Sequence, residues 1–135
     1  MRVEIFTPYC QYLEEETSLV SIISDGNSLG ILPNHYPLIS TLKVSKLRIE
    51  IDGKTRSFAI GEGVMNVKND IVSILTECIE ESSEIDLDRA IDKEKEMLEK
   101  LEKETDSNLR KAYEKSLKKA QNRIAVYNEA NQWFM

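Results

Sequence analysis

The only histidine of the chain, His35, stands between two prolines in the segment 33–37. An imidazole there could act as a general base near neutral pH, but it would need a nucleophile or a carboxylate partner. No Ser, Cys or acidic cluster occurs at a suitable spacing, so the sequence disfavours a small hydrolase and favours a turn or interface histidine. Because both prolines restrict the backbone, the segment predicts a stiff, extended loop that presents a surface.

Two other patterns resemble binding motifs only superficially. The acidic run 14–16 is typical of a solvated hairpin end or edge strand rather than of a metal site. Gly61 and Gly63 flank Glu62, but the segment lacks the further glycine and lysine of a phosphate-binding loop, so it predicts a bulge or a sharp corner. We expect no catalytic residue, no metal site and no resident cofactor.

Composition narrows the classes of partner. The 135 residues carry a formal net charge of −6, which argues against nucleic acid because phosphate binding needs a cationic surface. The two cysteines are too few for a disulfide framework, and no apolar run approaches the length of about 18 residues that spans a bilayer. We expect no direct membrane insertion and a location in the cytoplasm or on the cytoplasmic face of a membrane.

Alternating apolar residues dominate the first 76 positions. Leu47, Ile49 and Ile51 alternate with charged residues and lead into Asp52-Gly53, which predicts a β-hairpin. Further strands are predicted at 3–5, 19–23, 64–67 and 71–75, with turns at 25–28 and 68–70. So many short strands favour two sheets packed face to face.

Helical periodicity begins after the polar bridge 80–84, where Ser83 or Asp86 can cap a helix. The first apolar stripe comprises Leu87, Ile91, Leu98 and Leu101, and Glu94 interrupts it. Residues 105–108 break the pattern and supply N-caps, and a second stripe follows at Leu109, Tyr113, Leu117, Ala120, Ile124, Tyr127 and Phe134. The prediction is an α+β chain with an all-β sandwich over 1–84 and an antiparallel two-helix hairpin over 85–135.

The two predicted helices differ in charge. Residues 86–104 contain eight acidic and five basic residues, a balance of −3, whereas residues 107–135 contain two acidic and six basic residues, a balance of +4. The opposite charges could simply hold the hairpin together, or the basic helix could meet an acidic partner.

Four segments together resemble one known family. The segments 30–38, 61–67, 71–75 and 85–90 occur in the order and at the separations found in the epsilon subunit of bacterial F-type ATP synthases. The resemblance implies a ten-stranded sandwich and a helical hairpin in a non-catalytic rotor subunit of the central stalk, peripheral to the cell membrane. The implied partners are the gamma subunit, the membrane c-ring and the alpha/beta catalytic head, and the helices are expected to restrain ATP hydrolysis. The alternative is a free-standing ligand-binding β-sandwich with a helical dimerisation tail.

The resemblance also implies contact residues. Contact with the c-ring or gamma is expected at Ser28, Pro33, Asn34, His35, Tyr36 and Pro37. Contact of the extended second helix with the catalytic head is expected at Arg110, Lys111, Lys115, Lys118, Lys119 and Arg123.

Some members of the family bind regulatory ATP through a short motif on the hairpin. Ile85, Asp86, Arg89 and Ala90 match this motif, and Glu80 could accept a hydrogen bond from the nucleotide. The other interpretation is that Asp86 caps the helix and Arg89 pairs with a nearby acid. Because Glu96 would repel a triphosphate, we expect weak ATP binding or none.

Overall fold

The chain divides into two compact units, Met1–Glu81 and Ser82–Met135. The structure is a computed structural model, and it describes residues 1–24 and 26–132. The first unit is all β, and the second contains a short 3-10 helix, Ser82–Glu84, followed by two α-helices. The predicted order of β-sandwich and helices is confirmed. The division follows Glu81, whereas the sequence analysis places the boundary after residue 84.

The first unit is a β-sandwich of two five-stranded sheets. The first sheet has the order β2-β1-β9-β8-β5, in which β1 and β9 are parallel. Its strands are β1 Arg2–Phe6, β2 Gln11–Glu16, β5 Leu38–Leu42, β8 Gly63–Lys68 and β9 Ile71–Thr76. The acidic run 14–16 lies in β2, an edge strand, as expected from its charge.

The second sheet has the order β10-β7-β6-β3-β4 and is antiparallel throughout. Its strands are β3 Leu19–Ser24, β4 Asn27–Ile31, β6 Ser45–Ile51, β7 Lys54–Ile60 and β10 Ile79–Glu81. Asn27 and Ser28 belong to β4, so the turn predicted over 25–28 is shorter than expected. Gly26 supplies its left-handed residue with a φ of 81°.

The core fills the space between the inward faces of the two sheets. Phe58 is its largest fully buried side chain, and Tyr12 from the other sheet meets the Phe58 ring edge to face, with centroids 6.2 Å apart. The predicted alternation is confirmed in β6, where Leu47 and Ile49 are fully buried. Burying each such side chain stabilises the fold by about 1.5–3 kcal/mol.

Two tight hairpin turns have the backbone that the sequence predicts. Asp52 and Gly53 have φ values of 53° and 76°, and Asn69 and Asp70 have φ values of 54° and 62°. Positive φ at both central residues is the requirement of the type I′ turn, whose twist matches that of the flanking strands.

The corner at Gly61–Gly63 carries the chain from the second sheet to the first, because β7 and β8 lie in different sheets. A Cβ atom added at Gly63 would collide with the carbonyl oxygen of Leu75 on the neighbouring strand. Only glycine fits this close approach, and the prediction of a sharp corner is confirmed.

An ion pair secures the last strand of the sandwich. The Nε and Nη2 atoms of Arg56 donate to the two carboxylate oxygens of Glu81 at 2.9 and 2.8 Å. The hydrogen bond to Glu81 raises the pKa of Arg56, and its guanidinium also lies 5.4 Å from the Phe58 ring centroid. This pair therefore joins the short strand β10 to β7 and to the core.

The second unit is a helical hairpin of α1, Leu87–Lys103, and α2, Ser107–Gln132, which pack against each other. The Asp86 side chain accepts a hydrogen bond from the Arg89 amide and caps α1. Asp106 accepts from the amides of Asn108 and Leu109 and caps α2. Both caps lie in the segments from which they were predicted.

The predicted apolar stripe of α1 is partly wrong. Ala90 and Met97 are buried, whereas Leu98 is 46% exposed because it lies about 100° further round the helix than Met97. Glu94 is half-buried on the face that Ala90 and Met97 define, as its position in the stripe indicated.

The second stripe is also only partly confirmed. In α2 Ala120 is buried as predicted, Leu109 is 44% exposed, and the buried Val126 was not predicted. Phe134 lies outside the described residues.

We expect the fragment 1–81 to unfold cooperatively without the helices, because the whole buried cluster of the sandwich lies between Val3 and Ile74. Thermal unfolding followed by circular dichroism would measure this. Leu47→Ala should destabilise the fragment and the full chain alike, by about 2–5 kcal/mol. A fragment without a cooperative transition would contradict the independence of the first unit.

Candidate functional site

The proline-bracketed segment forms the loop between β4 and β5, and its centre is a turn rather than an extended chain. The amide of His35 donates to the carbonyl oxygen of Leu32 at 3.2 Å, and Asn34 has a φ of 66°. Proline at the second position and a left-handed residue at the third are the signature of a type II turn. The prediction of an extended connection is wrong here, because Asn tolerates the left-handed conformation that closes the turn.

An acidic residue from a distant turn holds this loop. The backbone amide of Asn34 donates to Oδ1 of Asp70 at 2.9 Å, across 36 positions of sequence. This hydrogen bond is the main reason that the pKa of Asp70 lies below its ordinary value, and the ammonium of Met1, 3.5 Å away, lowers it further. The sequence analysis did not identify Asp70, because nothing local to the β8–β9 turn indicates what its carboxylate meets.

The loop presents apolar groups to solvent. Tyr36 is 86% exposed and Leu32 is 60% exposed. The Nδ1 atom of His35 donates to the carbonyl oxygen of Tyr36 at 2.7 Å. The imidazole therefore stabilises the conformation of its own loop. Two prolines and a turn hydrogen bond leave such a surface little entropy to lose on binding.

Ser28 is exposed on β4, the strand that precedes the loop. It lines an open cavity of about 250 Å³ together with apolar and hydroxyl-bearing residues, among them Ser40 and Thr41 of β5 and Ser45 of β6. The cavity thus lies where the edge strands of the two sheets, β4 and β5, face each other.

An apolar patch on the outer face of the first sheet was missed by the sequence analysis. Ile39, Val64 and Leu75 are 75%, 42% and 52% exposed, and the register places them on one face. Alternation showed that these strands have two faces, but it did not show that the outward face of this sheet would be apolar. Ile39 follows Pro37 by two residues, so we call these three residues the outer-face patch and regard it as continuous with the loop.

Three residues of the predicted ATP motif have structural roles at the start of α1. Asp86 is the N-cap of α1, while Ile85 and Ala90 are buried. Arg89 is exposed, and Glu80 lies half-buried in β10. The motif therefore begins the helix, as the alternative interpretation of Asp86 predicts.

The basic residues of α2 do not act as one row. Arg110 donates through Nη1 to the carbonyl oxygens of Leu101 and Glu104 at 2.6 and 2.9 Å, so its guanidinium caps the end of α1. The exposed members of the set are Lys111, Lys115 and Lys118, whereas Lys119 and Arg123 are half-buried. Arg110 is thus a contact of the folded hairpin, and its contact with the catalytic head stays a prediction.

Within residues 1–24 and 26–132, no three His, Cys, Asp or Glu side chains are grouped so that they could hold a metal ion. The helices in the same part of the chain are not long and apolar enough to cross a membrane.

Known proteins share both the sequence and the architecture. Residues 1–82 match the family described as ATP synthase, Delta/Epsilon chain, beta-sandwich domain. The ATP synthase epsilon chain of Bacillus licheniformis is 35% identical over 127 residues, which cover 93% of this chain and 96% of the relative. The epsilon chain of Geotalea daltonii is 36% identical over 129 residues, with 93% and 92% covered. The chain belongs to the ATP synthase epsilon chain family.

Solved structures show the same fold at lower identity. A chain of the Euglena gracilis mitochondrial ATP synthase, from a structure of OSCP, F1 and c-ring, superposes with a TM-score of 0.81 at 21% identity, covering 91% of this chain and 78% of that one. A chain of the central stalk and c-ring of the Tetrahymena thermophila mitochondrial ATP synthase gives a TM-score of 0.56 at 16% identity, with 96% and 95% covered.

Membership in the epsilon chain family confirms the predicted fold class and role. The protein is a non-catalytic rotor subunit of an ATP synthase.

We predict that Arg110→Gln lowers the free energy of unfolding of the helical hairpin by about 1–2 kcal/mol, because two carbonyls at the end of α1 lose a charged donor. Urea unfolding followed by the helical circular dichroism signal would measure the change. The matched control is Lys111→Gln, which removes the same charge from an exposed neighbour. Equal effects of the two substitutions would show that charge, and not the cap, matters.

Proposed function

We propose that this epsilon subunit joins the c-ring to the gamma subunit through its β-sandwich and restrains ATP hydrolysis through its helices, on the cytoplasmic face of the bacterial cell membrane. The observation that carries the proposal is a rigid, apolar loop beside an apolar sheet face, in a chain of the epsilon family. The two similar solved chains come from assemblies that include a c-ring, which supports the same arrangement.

The loop 32–37 is the proposed contact with the c-ring. It combines an exposed aromatic ring with a backbone held by two prolines and by the Asn34–Asp70 hydrogen bond. Aromatic groups on a preorganised backbone bind at low entropic cost. Ser28, exposed on the preceding strand β4, is also a proposed contact.

The outer-face patch is the proposed contact with gamma. Three apolar side chains on neighbouring strands form a surface suited to a partner that buries them. Since the patch adjoins the loop through β5, one subunit could meet both partners with contiguous surfaces.

Crosslinking in the assembled complex would test both contacts. We expect a cysteine at Tyr36 to crosslink to the c-ring and a cysteine at Leu75 to crosslink to gamma. Tyr36 is preferable to Asn34 because a cysteine at Asn34 would have to adopt a left-handed backbone. The exposed Cys10 and Cys78 must first be changed to serine.

A cysteine at Lys54, the exposed first residue of β7, is the matched control. Crosslinks from Lys54 alone would refute the proposed contacts. Recovery of homodimers without other ATP synthase subunits would instead favour the free-standing sandwich.

The helical hairpin is the proposed regulatory switch. The 26 residues of α2 make a helix of about 39 Å at 1.5 Å per residue. Half-buried Glu94 weakens the packing of α1 against α2. Contacts with another subunit could therefore shift the hairpin from a folded to an open arrangement. The exposed Lys111, Lys115 and Lys118 would then meet acidic segments of the catalytic head. Tyr127 would supply an apolar anchor; Trp133 and Phe134, expected to act with it, lie outside the described residues.

We expect truncation after Glu104 to raise the rate of ATP hydrolysis by the reconstituted complex, because the restraining contacts are removed. The triple variant Lys111→Gln, Lys115→Gln and Lys118→Gln keeps the helix and should raise hydrolysis partly, most clearly at low ionic strength, where charge attraction is least screened. Steady-state hydrolysis at low and high salt would measure both. Unchanged hydrolysis in the truncated complex would leave the helices with a structural role only.

For ATP itself, we propose weak binding or none, since Asp86 is engaged as the cap of α1 and Glu96 would repel a triphosphate. Calorimetric titration of the isolated subunit with ATP should give little heat, and Arg89→Gln should change it little. Tight binding that Arg89→Gln abolishes would contradict this expectation.

A further inference from the structure

The β8–β9 turn reaches the loop 32–37 although the two are far apart in sequence. Asp70 occupies the second central position of that turn, with a φ of 62°, and its Oδ1 accepts the amide proton of Asn34. Asn34 is itself left-handed, with a φ of 66°. Two asparagine or aspartate residues in this sparsely populated conformation therefore meet through one charge-assisted hydrogen bond.

We propose that Asp70 is a positioning residue, whose carboxylate holds the loop 32–37 in the conformation that presents Tyr36 to a partner subunit. The inference rests on the proposed docking of this loop to the c-ring. It adds a residue that lies outside the loop and that no pattern near the loop indicates.

The Asp70–Asn34 hydrogen bond orders the loop and adds little to the stability of the fold. The Asn34 amide is on an exposed segment, so water can replace Asp70 as its acceptor at little cost in global stability. What is lost is the coupling of the loop to the rigid β8–β9 hairpin. Within the loop, the His35–Leu32 hydrogen bond remains, but it does not tie the turn to the sheet.

The effects of other charges near Asp70 must be distinguished from the effect of the Asp70–Asn34 hydrogen bond. The Met1 ammonium lies 3.5 Å from Oδ2 of Asp70 and 3.6 Å from the carboxylate of Glu16 at the end of β2. Glu16→Gln removes the other anionic partner of the same ammonium without touching the Asn34 amide, and it serves as the matched control.

Two substitutions at Asp70 distinguish the carboxylate from the backbone. Asp70→Gly removes the acceptor but keeps the turn, because Asn-Gly is the preferred pair in a type I′ turn. Asp70→Asn keeps an acceptor oxygen and tolerates positive φ. Both variants should fold, and unfolding curves that match the wild type would establish this.

The first measurement is hydrogen exchange at the Asn34 amide in the isolated subunit, followed by NMR. We expect exchange to accelerate about tenfold or more in Asp70→Gly and less than about threefold in Asp70→Asn and Glu16→Gln, as loss of one hydrogen bond implies. Unchanged exchange in Asp70→Gly would overturn the proposal.

A pH titration gives an independent readout. The folded-state pKa of Asp70 is lowered, first by the Asn34 amide, so the bond has its full strength above the ordinary aspartate value of about 3.9 and weakens as the pH falls through the lower folded value, because a protonated carboxyl is a poorer acceptor than a carboxylate. The Asn34 amide proton should shift with a midpoint below 3.9, and this transition should be absent in Asp70→Gly. The same transition in Asp70→Gly would assign it to a group other than Asp70 and contradict the proposal.

The second measurement is the yield of the crosslink from a cysteine at Tyr36 to the c-ring. It should fall severalfold in Asp70→Gly and be restored in Asp70→Asn. If exchange accelerates but the crosslink yield is unchanged, positioning for docking is refuted. If the Tyr36 cysteine never reaches the c-ring, even with Asp70 intact, the proposed docking is wrong, while faster exchange in Asp70→Gly would still establish that Asp70 holds the loop.

Discussion

Packing between the inward faces of two five-stranded sheets is the constraint on which the first unit depends. Phe58, Leu47 and Ile49 from one sheet meet the apolar faces of the other, and each strand must keep its alternation to contribute. The backbone exceptions follow from this requirement. Tight turns with positive φ keep neighbouring strands in register, and Gly63 lets the chain cross between sheets where any side chain would strike Leu75.

The packed sandwich fixes the positions of the loop 32–37 and of the outer-face patch. The loop 32–37 would be an ordinary connection if it moved freely, but prolines and the Asp70 carboxylate tie it to strands that cannot shift without disturbing the core. The outer-face patch is similar, because its side chains extend from strands whose other face is buried. A rotor subunit has to transmit torque, and surfaces fixed to a packed core are suited to that task.

The helical hairpin is stabilised differently from the sandwich. Its buried side chains include the small Ala90 and Ala120, and Glu94 is half-buried on the buried face of α1. Among the described residues, its other buried side chains are Ile85, Met97 and Val126. Arg110 joins the two helices by capping the end of α1 from α2. A core of so few side chains would let the hairpin exchange between arrangements more easily than the sandwich, as the proposed regulation requires.

Local pattern determined the strands β1, β3 and β6 to β9, the two tight hairpin turns, the corner at Gly61–Gly63 and the helix caps, because each depends on residues adjacent in sequence. It did not predict the bounds of β2, β4, β5 or β10. The segments that resemble the epsilon family were likewise recognisable from the sequence alone. Only the tertiary structure decided which carboxylate meets the loop 32–37, that Arg110 caps α1, and that Met97 rather than Leu98 is buried. These depend on contacts between distant residues or on the rotation of a helix against its partner, and alternation or helical spacing alone specifies neither.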